Sequence, residues 1–315
     1  GDAAPGGGAS HARAEEQRHF DRVVVEDELG GALAKFDPDG TLHLWLPNQA
    51  PEMFQAAAAK VAGIEPARVH IHSPILGGFF GRHFVYGPGN PYPQAILLAK
   101  ATGRPVKLVW SREEDTQHGT YRPVSMSRYQ VGLGKDGLPV RWESQFAQPN
   151  VLARFAPPFG WLDLDPMTIA ASVHDYGLLP DHFYKVEGVN MTHTGVELGV
   201  PTGVWRSPMN NLNVFYTESV MDELAHLAET DPLEYRLKFL GESPRHKAVL
   251  KQAARQAGWD APHPKGHGRG IAIQEWFSFD DSKTVAAQVA QVSVSKRGRL
   301  KVERVDCVVD YGLAV

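Results

Sequence analysis

The run Gly77-Gly78-Phe79-Phe80-Gly81 is the first place in this sequence where chemistry could sit. It follows Arg68 to Ser73, whose alternation predicts a strand. Glycines after a strand let successive backbone N–H groups approach a ligand and form an anion-binding concavity. The same residues also suit a plain tight turn between strand and helix, and the run alone leaves both readings open. No Gly-Lys-Ser/Thr follows it, so it is not a P-loop, and its glycine spacing is not that of a dinucleotide fingerprint. The second place is Gly203-Val204-Trp205-Arg206-Ser207-Pro208. An arginine between an aromatic residue and a Ser-Pro turn can bind an oxyanion or polarise a carbonyl. It equally suits a surface arginine stacked on Trp205.

Other residue types offer less. His70 and His72 share a strand face, but no third ligand stands at a convincing spacing, and a metal site needs one. His193, His263 and His267 are isolated in expected loops. Ordinary polar or half-buried roles account for all of these histidines. There is no Gly-x-Ser-x-Gly elbow for serine nucleophile chemistry. Asp222-Glu223 and Glu113-Glu114-Asp115 read as solvated faces and helix caps rather than as paired acid–base carboxylates.

These positions need elements to hold them. Thr41 to Leu46 alternates as a strand. Pro51 to Gly63 reads as a helix with proline in its first turn and a glycine cap. Pro93 to Ala101 predicts an apolar helix ending at Gly103, and Val106 to Trp110 a buried strand. Met126 to Leu133 and Leu138 to Ala147, joined through Asp136-Gly137, predict a hairpin. Residues 149 to 185 are rich in proline and aromatics and read as a long irregular segment, the kind that is often functional or interfacial. Helices are expected over Val214 to Ala228, from Pro232 to Leu240 with Asp231 as N-cap, and over His246 to Ala257. Strands follow at Gly270 to Gln274, Ala286 to Val294 and Leu300 to Val309, the last two as a hairpin. The fold class is mixed α/β, or α+β.

Composition narrows the function classes. Of 315 residues, 43% are hydrophobic and 22% charged, with a formal net charge of -4. That argues against a nucleic-acid partner, whose electrostatic footprint is a basic surface. A single cysteine, Cys307, excludes an intrachain disulfide and a cysteine-ligated iron–sulfur cluster within these residues. Gly1 to Arg18 carries no apolar core of a signal peptide. The apolar run Val305 to Ala314 needs neighbouring strands, so truncation at one or both ends is expected.

Taken in order, several segments resemble one family. Leu76-Gly77-Gly78-Phe79-Phe80-Gly81-Arg82 followed by Gly103-Arg104-Pro105-Val106-Lys107-Leu108-Val109-Trp110-Ser111-Arg112-Glu113-Glu114-Asp115 is similar to the GGGFGR…GRPVKVxWSREED stretch of molybdenum hydroxylases. Tyr121-Arg122-Pro123 stands at the spacing of their isoquinoline 1-oxidoreductase branch. Gly199 to Pro208 resembles VPVGPWRS. Glu218 to Ala225 with Asp231 to Arg236 resembles ESFIDELA…DPLEFR, and Val309-Asp310-Tyr311-Gly312 resembles VDCG. The likeness covers roughly residues 40 to 315, and an ordered set is more specific than any single motif.

The resemblance is to the molybdopterin-binding large subunit of xanthine oxidase and aldehyde oxidase relatives, near the isoquinoline 1-oxidoreductase and bacterial aldehyde dehydrogenase branch. It implies a fragment of their molybdopterin-binding domain. Residues 1–39 would be a linker or the remnant of an upstream domain, 40–265 the domain's first part, and 266–315 the truncated start of a second. It implies hydroxylation of an aldehyde or N-heteroaromatic carbon with water, on a molybdenum–molybdopterin cofactor in its cytosine dinucleotide form. No protein side chain would ligate the metal. Electrons would leave through iron–sulfur clusters on a partner subunit, with a cytochrome c subunit and the remaining segments of the large subunit as further partners. By position, Gly78, Phe80 and Gly81 would set backbone amides near the cofactor, and Gln49 occupies a family glutamine position. Arg206 would stabilise charge developing on the substrate. The branch implies a periplasmic or partner-held membrane location, with the cytoplasm as alternative. Two departures stand out: Phe79 replaces the third loop glycine, and neither the family's catalytic glutamate nor its upstream glycine-rich pterin segment lies in these residues. The rival readings are a non-catalytic scaffold that binds partner chains, and a small-molecule binding protein using the Gly/Phe loop for an anion.

Overall fold

Along Leu42-His43-Leu44-Trp45 the period of two sends both leucines to one face, where they are fully buried. That face organises the first of two units in the computed structural model, which describes residues 31–74, 80–81, 89–149, 183–196, 198–203, 205–207, 210–277 and 283–313. The described residues of the first unit come from 31–124, 149 and 195–207, and those of the second from 125–148, 183–194 and 210–313.

In the first unit, β1 (Gly31–Phe36), β2 (Leu42–Trp45), β3 (Val69–His72) and β4 (Val106–Val109) form one sheet of order β3-β2-β1-β4. β1 pairs antiparallel with both β2 and β4. β2 and β3 are parallel and connected by helix α1 (Pro51–Ala62), as a parallel pair requires a crossover. α1 begins with proline, whose missing N–H costs nothing in a first turn, and ends on Gly63. It buries Phe54, Ala58, Ala59 and Ala62. Helix α2 (Tyr92–Thr102) buries Tyr92, Ala95, Ile96 and Ala99, one stripe at helical spacing, and lies on β1 and β4. The Phe54 and Tyr92 rings meet edge to face at 5.5 Å and join the two helices. Each large apolar side chain buried here contributes about 1.5–3 kcal/mol. Helix α3 (Arg112–His118) follows β4. The Ser111 side chain accepts from Glu114 N at 3.2 Å and caps it, and Glu113, Glu114 and Asp115 fill its first turn.

The second unit holds two three-stranded sheets. β5 (Met126–Leu133) and β6 (Pro139–Gln148) are the expected hairpin, and β6 also neighbours β7 (Gly188–Gly195). β8 (His267–Phe277), β9 (Lys283–Val294) and β10 (Leu300–Asp310) form an antiparallel sheet. Three helices accompany them: α4 (Asn210–Leu227), α5 (Pro232–Phe239) and α6 (Pro244–Ala257). α6 lies on β9 and β10 through Val249, Leu250, Ala253, Ala254 and Ala257. The core gathers Trp142, Tyr184, Met221, Ala225, Tyr235, Leu250, Ile273 and Val289.

A buried ion network ties α4, α5 and β8 together. Arg236 is wholly enclosed, and its Nε donates to Glu218 Oε2 at 2.9 Å. Its Nη1 donates to Asp222 Oδ1 at 2.7 Å and Pro232 O at 3.1 Å, and its Nη2 to Glu218 O at 2.9 Å. Glu218 also accepts from Ile273 N at 3.0 Å and Tyr184 OH at 3.1 Å. Burial pushes the Glu218 carboxyl up, opposed by Arg236. At the start of α5, Asp231 caps Leu233 N and Glu234 N, as its position before Pro232 predicts.

The structure departs from the sequence patterns at three places. The strand after Gly103 is not buried: β4 is an edge strand with alternating half-buried and exposed residues, and only Trp110 beyond it is enclosed. Residues 31–36, read on sequence as part of a linker or the remnant of an upstream domain, form a strand of the first sheet. α3 and β7 are elements that the sequence patterns do not predict. Of the irregular segment 149 to 185, residues 150–182 lie outside the described residues. No helix among the described residues is long and apolar enough to cross a membrane.

Candidate functional site

The two segments singled out for chemistry meet in the first unit. Arg206 N donates to Phe80 O at 2.5 Å, although 126 positions separate them in sequence. The Arg206 guanidinium stands over the Phe80 ring, 5.9 Å from its centroid, a contact worth about 0.5–1 kcal/mol when exposed. Phe80 and Ser207 both take left-handed conformations, with φ of 51° and 54°. Such backbones cost non-glycine residues energy and recur at functional sites.

Gly81 explains why the segments come so close. Its φ is 104°, and a Cβ there would lie 3.3 Å from both Arg206 N and Trp205 C. Only glycine allows that conformation and that approach together. Gly78, the other glycine assigned to cofactor binding, lies outside the described residues, as does Phe79.

The Trp205-Arg206-Ser207 turn has a second support. Tyr121 forms a parallel bridge with Thr202: Tyr121 N donates to Pro201 O at 2.8 Å, and Gly203 N to Tyr121 O at 2.9 Å. The next residue, Arg122, sends Nη1 to Arg206 O at 2.8 Å. Burial holds the Arg122 guanidinium below the usual arginine range, but its ordinary value is high enough to keep it charged. A cavity of ≈ 290 Å³ adjoins this corner, with Arg112, Thr116, Thr120, Arg122 and Trp205 among its walls.

Gln49 is exposed on the approach to α1. Its neighbour Asn48 is buried. Asn48 Nδ2 donates to Leu46 O at 3.2 Å and Ser73 Oγ at 2.8 Å, while Asn48 Oδ1 is enclosed without a partner among the described residues. So the structure joins three of the five predicted site residues, Phe80, Gly81 and Arg206. Arg122 enters the sequence reading only as part of a motif. Its one signal is its place in Tyr-Arg-Pro, and nothing in local spacing points a side chain at a carbonyl so far along the chain.

His43, His70 and His72 lie together on the first sheet, while His193 and His267, expected in loops, stand in β7 and β8. His43 Nδ1 lies 3.0 Å from His72 Nε2, and His43 Nε2 lies 3.1 Å from Asp37 Oδ2. His70 and His72 both stack on His43 rather than converging on a point. Among the described residues, no group of three or more histidine, cysteine, aspartate or glutamate side chains could hold a metal ion.

An oxygen-rich, anionic cofactor that brings its own metal ligands asks for something else: backbone N–H groups, cationic donors and close approach. Two of these meet at the corner, a close backbone approach and a cationic donor. Gly81 presents backbone without a Cβ, and the exposed Arg206 guanidinium makes no hydrogen bond among the described residues. The donor set therefore fits such a group.

Comparison with known proteins points the same way. The sequence profile described as the molybdopterin cofactor-binding domain matches residues 24–240. The chain is 27% identical to the beta chain of isoquinoline 1-oxidoreductase from Brevundimonas diminuta over 293 residues, covering 91% of this chain and 36% of that protein. It is 26% identical to the membrane-bound aldehyde dehydrogenase of Gluconacetobacter polyoxogenes over 308 residues, covering 91% of this chain and 39% of that one. The aldehyde oxidoreductase from Desulfovibrio gigas has the same fold, with a TM-score of 0.61 at 20% identity over 87% of this chain and 30% of that chain. The chain thus spans well under half the length of each of these proteins.

Proposed function

The chain belongs to the molybdopterin cofactor-binding domain family, and we propose that it is part of the cofactor-binding subunit of an oxidoreductase. The reaction proposed is hydroxylation of an aldehyde or N-heteroaromatic carbon with oxygen from water. The observation that carries this reading is the meeting of Gly81 and Phe80 with Arg206 at one corner. A family loop and a family arginine, far apart in sequence, come within hydrogen-bonding distance there.

When bound, the cofactor supplies the two-electron redox chemistry, and the protein supplies binding, orientation and electrostatics. Gly81, with Gly78 and Phe80, would hold it through backbone N–H groups. Gln49 is a further candidate on the approach to α1. Arg206 would face the substrate, where a cation stabilises negative charge as it develops on the reacting group. Such a preorganised donor matters most in a water-excluded site. Its turn is fixed at both of its backbone polar groups, so little reorganisation is needed when charge appears.

The cytosine dinucleotide form of the cofactor, an iron–sulfur partner subunit, a cytochrome c subunit and a periplasmic or partner-held membrane location belong to the same proposal. They follow from the family likeness. The test uses the full-length protein purified with its partner subunits. Molybdenum and pterin should be present at about one per subunit, and oxygen from isotopically labelled water should enter the product of an aldehyde or an N-heteroaromatic. Absence of both metal and pterin from a folded, assembled complex would favour the scaffold reading instead.

A further inference from the structure

We propose that Arg122 is a positioning residue for Arg206, clamping the Arg206 carbonyl so that the exposed guanidinium is held in place for catalysis. The proposal rests on the reading of Arg206 given above.

Arg206 has little side-chain packing that would fix it. It is exposed, its neighbour Ser207 has a φ of 54°, and its guanidinium meets the face of Phe80. What can be fixed is its backbone, which offers one donor and one acceptor. The donor goes to Phe80 O at 2.5 Å and the acceptor takes Arg122 Nη1 at 2.8 Å. Residue 206 is thus gripped on both sides by different parts of the first unit.

Arg122 is itself well anchored. Its neighbour Tyr121 is bound on both sides of the bridge, to Pro201 O and from Gly203 N, and the Tyr121 hydroxyl donates to Thr116 O at 2.7 Å. The chain leaving the bridge at Gly203 returns to Arg122 at Arg206, so a side chain closes the segment that the backbone opened. A guanidinium suits this task because its planar fork stays charged and loses little freedom per bond formed. A charge-assisted donor also makes a stronger bond to a carbonyl than a neutral one does. The cavity beside Arg122 means that truncating the side chain leaves the turn unsupported rather than refilled by a neighbour.

The experiment uses the full-length, molybdenum-loaded protein with its partner subunits, an aldehyde or N-heteroaromatic substrate and an artificial electron acceptor. Arg122→Ala should lower kcat about ten-fold, the scale of a small misplacement of a catalytic group. KM should stay within about two-fold of wild type, the split expected when only transition-state contacts are lost. Metal content and melting midpoint should match wild type. Arg122→Lys, which can still donate to the carbonyl, should recover part of kcat. The double variant Arg122→Ala/Arg206→Ala should be no slower than Arg206→Ala alone, since a positioning residue has nothing left to position. Should Arg122→Ala not accumulate, Arg122→Met, which keeps the stem and loses every donor, takes its place. If Arg206→Ala turns over like wild type, the reading of Arg206 fails and this proposal falls with it. If Arg206→Ala is slow but Arg122→Ala is not, or if the two losses multiply in the double variant, the positioning role is overturned while the reading of Arg206 stands.

Discussion

Arg206 in the first unit and Arg236 in the second carry the same planar fork of donors, and the molecule uses them in opposite ways. Arg236 is fully enclosed, with Nε, Nη1 and Nη2 all engaged by Glu218, Asp222 and Pro232. Arg206 is exposed on a turn next to Ser207, whose backbone is left-handed, and its own backbone is what is secured. Both belong to motifs that resemble the same family. On the proposed function, one of these arginines holds elements together and the other faces a reactant. Satisfaction of the guanidinium distinguishes them. A buried charge must be paired, whereas one kept for a ligand has its donors open.

The strongest change is expected at Arg236. Arg236→Met leaves Glu218 and Asp222 without their cation and should cost about 3–5 kcal/mol of stability, as removal of one partner of a buried pair does. Denaturant melts would check this, and a loss below about 1 kcal/mol would contradict the structural role. Replacing Glu218 by leucine at the same time should recover only part, because Ile273 N and Tyr184 OH would lose their acceptor.

At the other region, Gly81→Ala places a Cβ against the Trp205–Arg206 backbone at a φ that strains any side chain. About 1–3 kcal/mol of local strain is expected. We expect the turn to relieve it by moving, so turnover of the assembled enzyme should fall while the global melt shifts little. Unchanged turnover would mean that the close approach is not needed.

The smallest expected effect again lies in the second unit. Glu275 is buried, and burial pushes its carboxyl up, but His246 at 2.9 Å and Lys283 at 2.9 Å outweigh this and hold it down at about 2. A depressed carboxylate contributes stability above its ordinary value of 4.5 and loses it as pH falls through about 2. Glu275→Gln should therefore be less stable than wild type by about 1–2 kcal/mol at neutral pH. The gap should close between pH 4.5 and about 2. A gap independent of pH in parallel melts would show that the ion pairs contribute nothing.

The same contrast explains how much could be read in advance. Helix α1 was legible because Pro51 and Gly63 mark its ends, and α5 because Asp231-Pro232 is a strong start. The β9–β10 hairpin was legible from alternation around the Lys296 to Arg299 turn. β1 was not, because Gly31-Ala32-Leu33-Ala34-Lys35-Phe36 has no β-branched residue, and its strand character comes from pairing on both sides. Asp222 read as a solvated carboxylate, and its pairing with Arg236 depends on where α5 packs. At the candidate site, glycine spacing and the Trp-Arg-Ser-Pro turn identified Gly81 and Arg206 as residues to watch, but only the fold could bring them together. Arg122 was hidden for the same reason, since a side chain bonded to a carbonyl 84 positions away leaves no local pattern.

On the proposed function, Arg206 faces the reactant rather than holding the fold. The direct test is steady-state turnover of Arg206→Ala in the complete, metal-loaded enzyme, with molybdenum content and melting midpoint measured on the same preparation. Turnover should fall roughly 10²-fold or more, the cost of losing one preorganised donor, with incomplete recovery in Arg206→Lys, where the fork is lost. The melt should stay within about 0.5 kcal/mol of wild type, as for an exposed side chain. Wild-type turnover at equal metal content, or a loss of stability like that of Arg236→Met, would contradict that role.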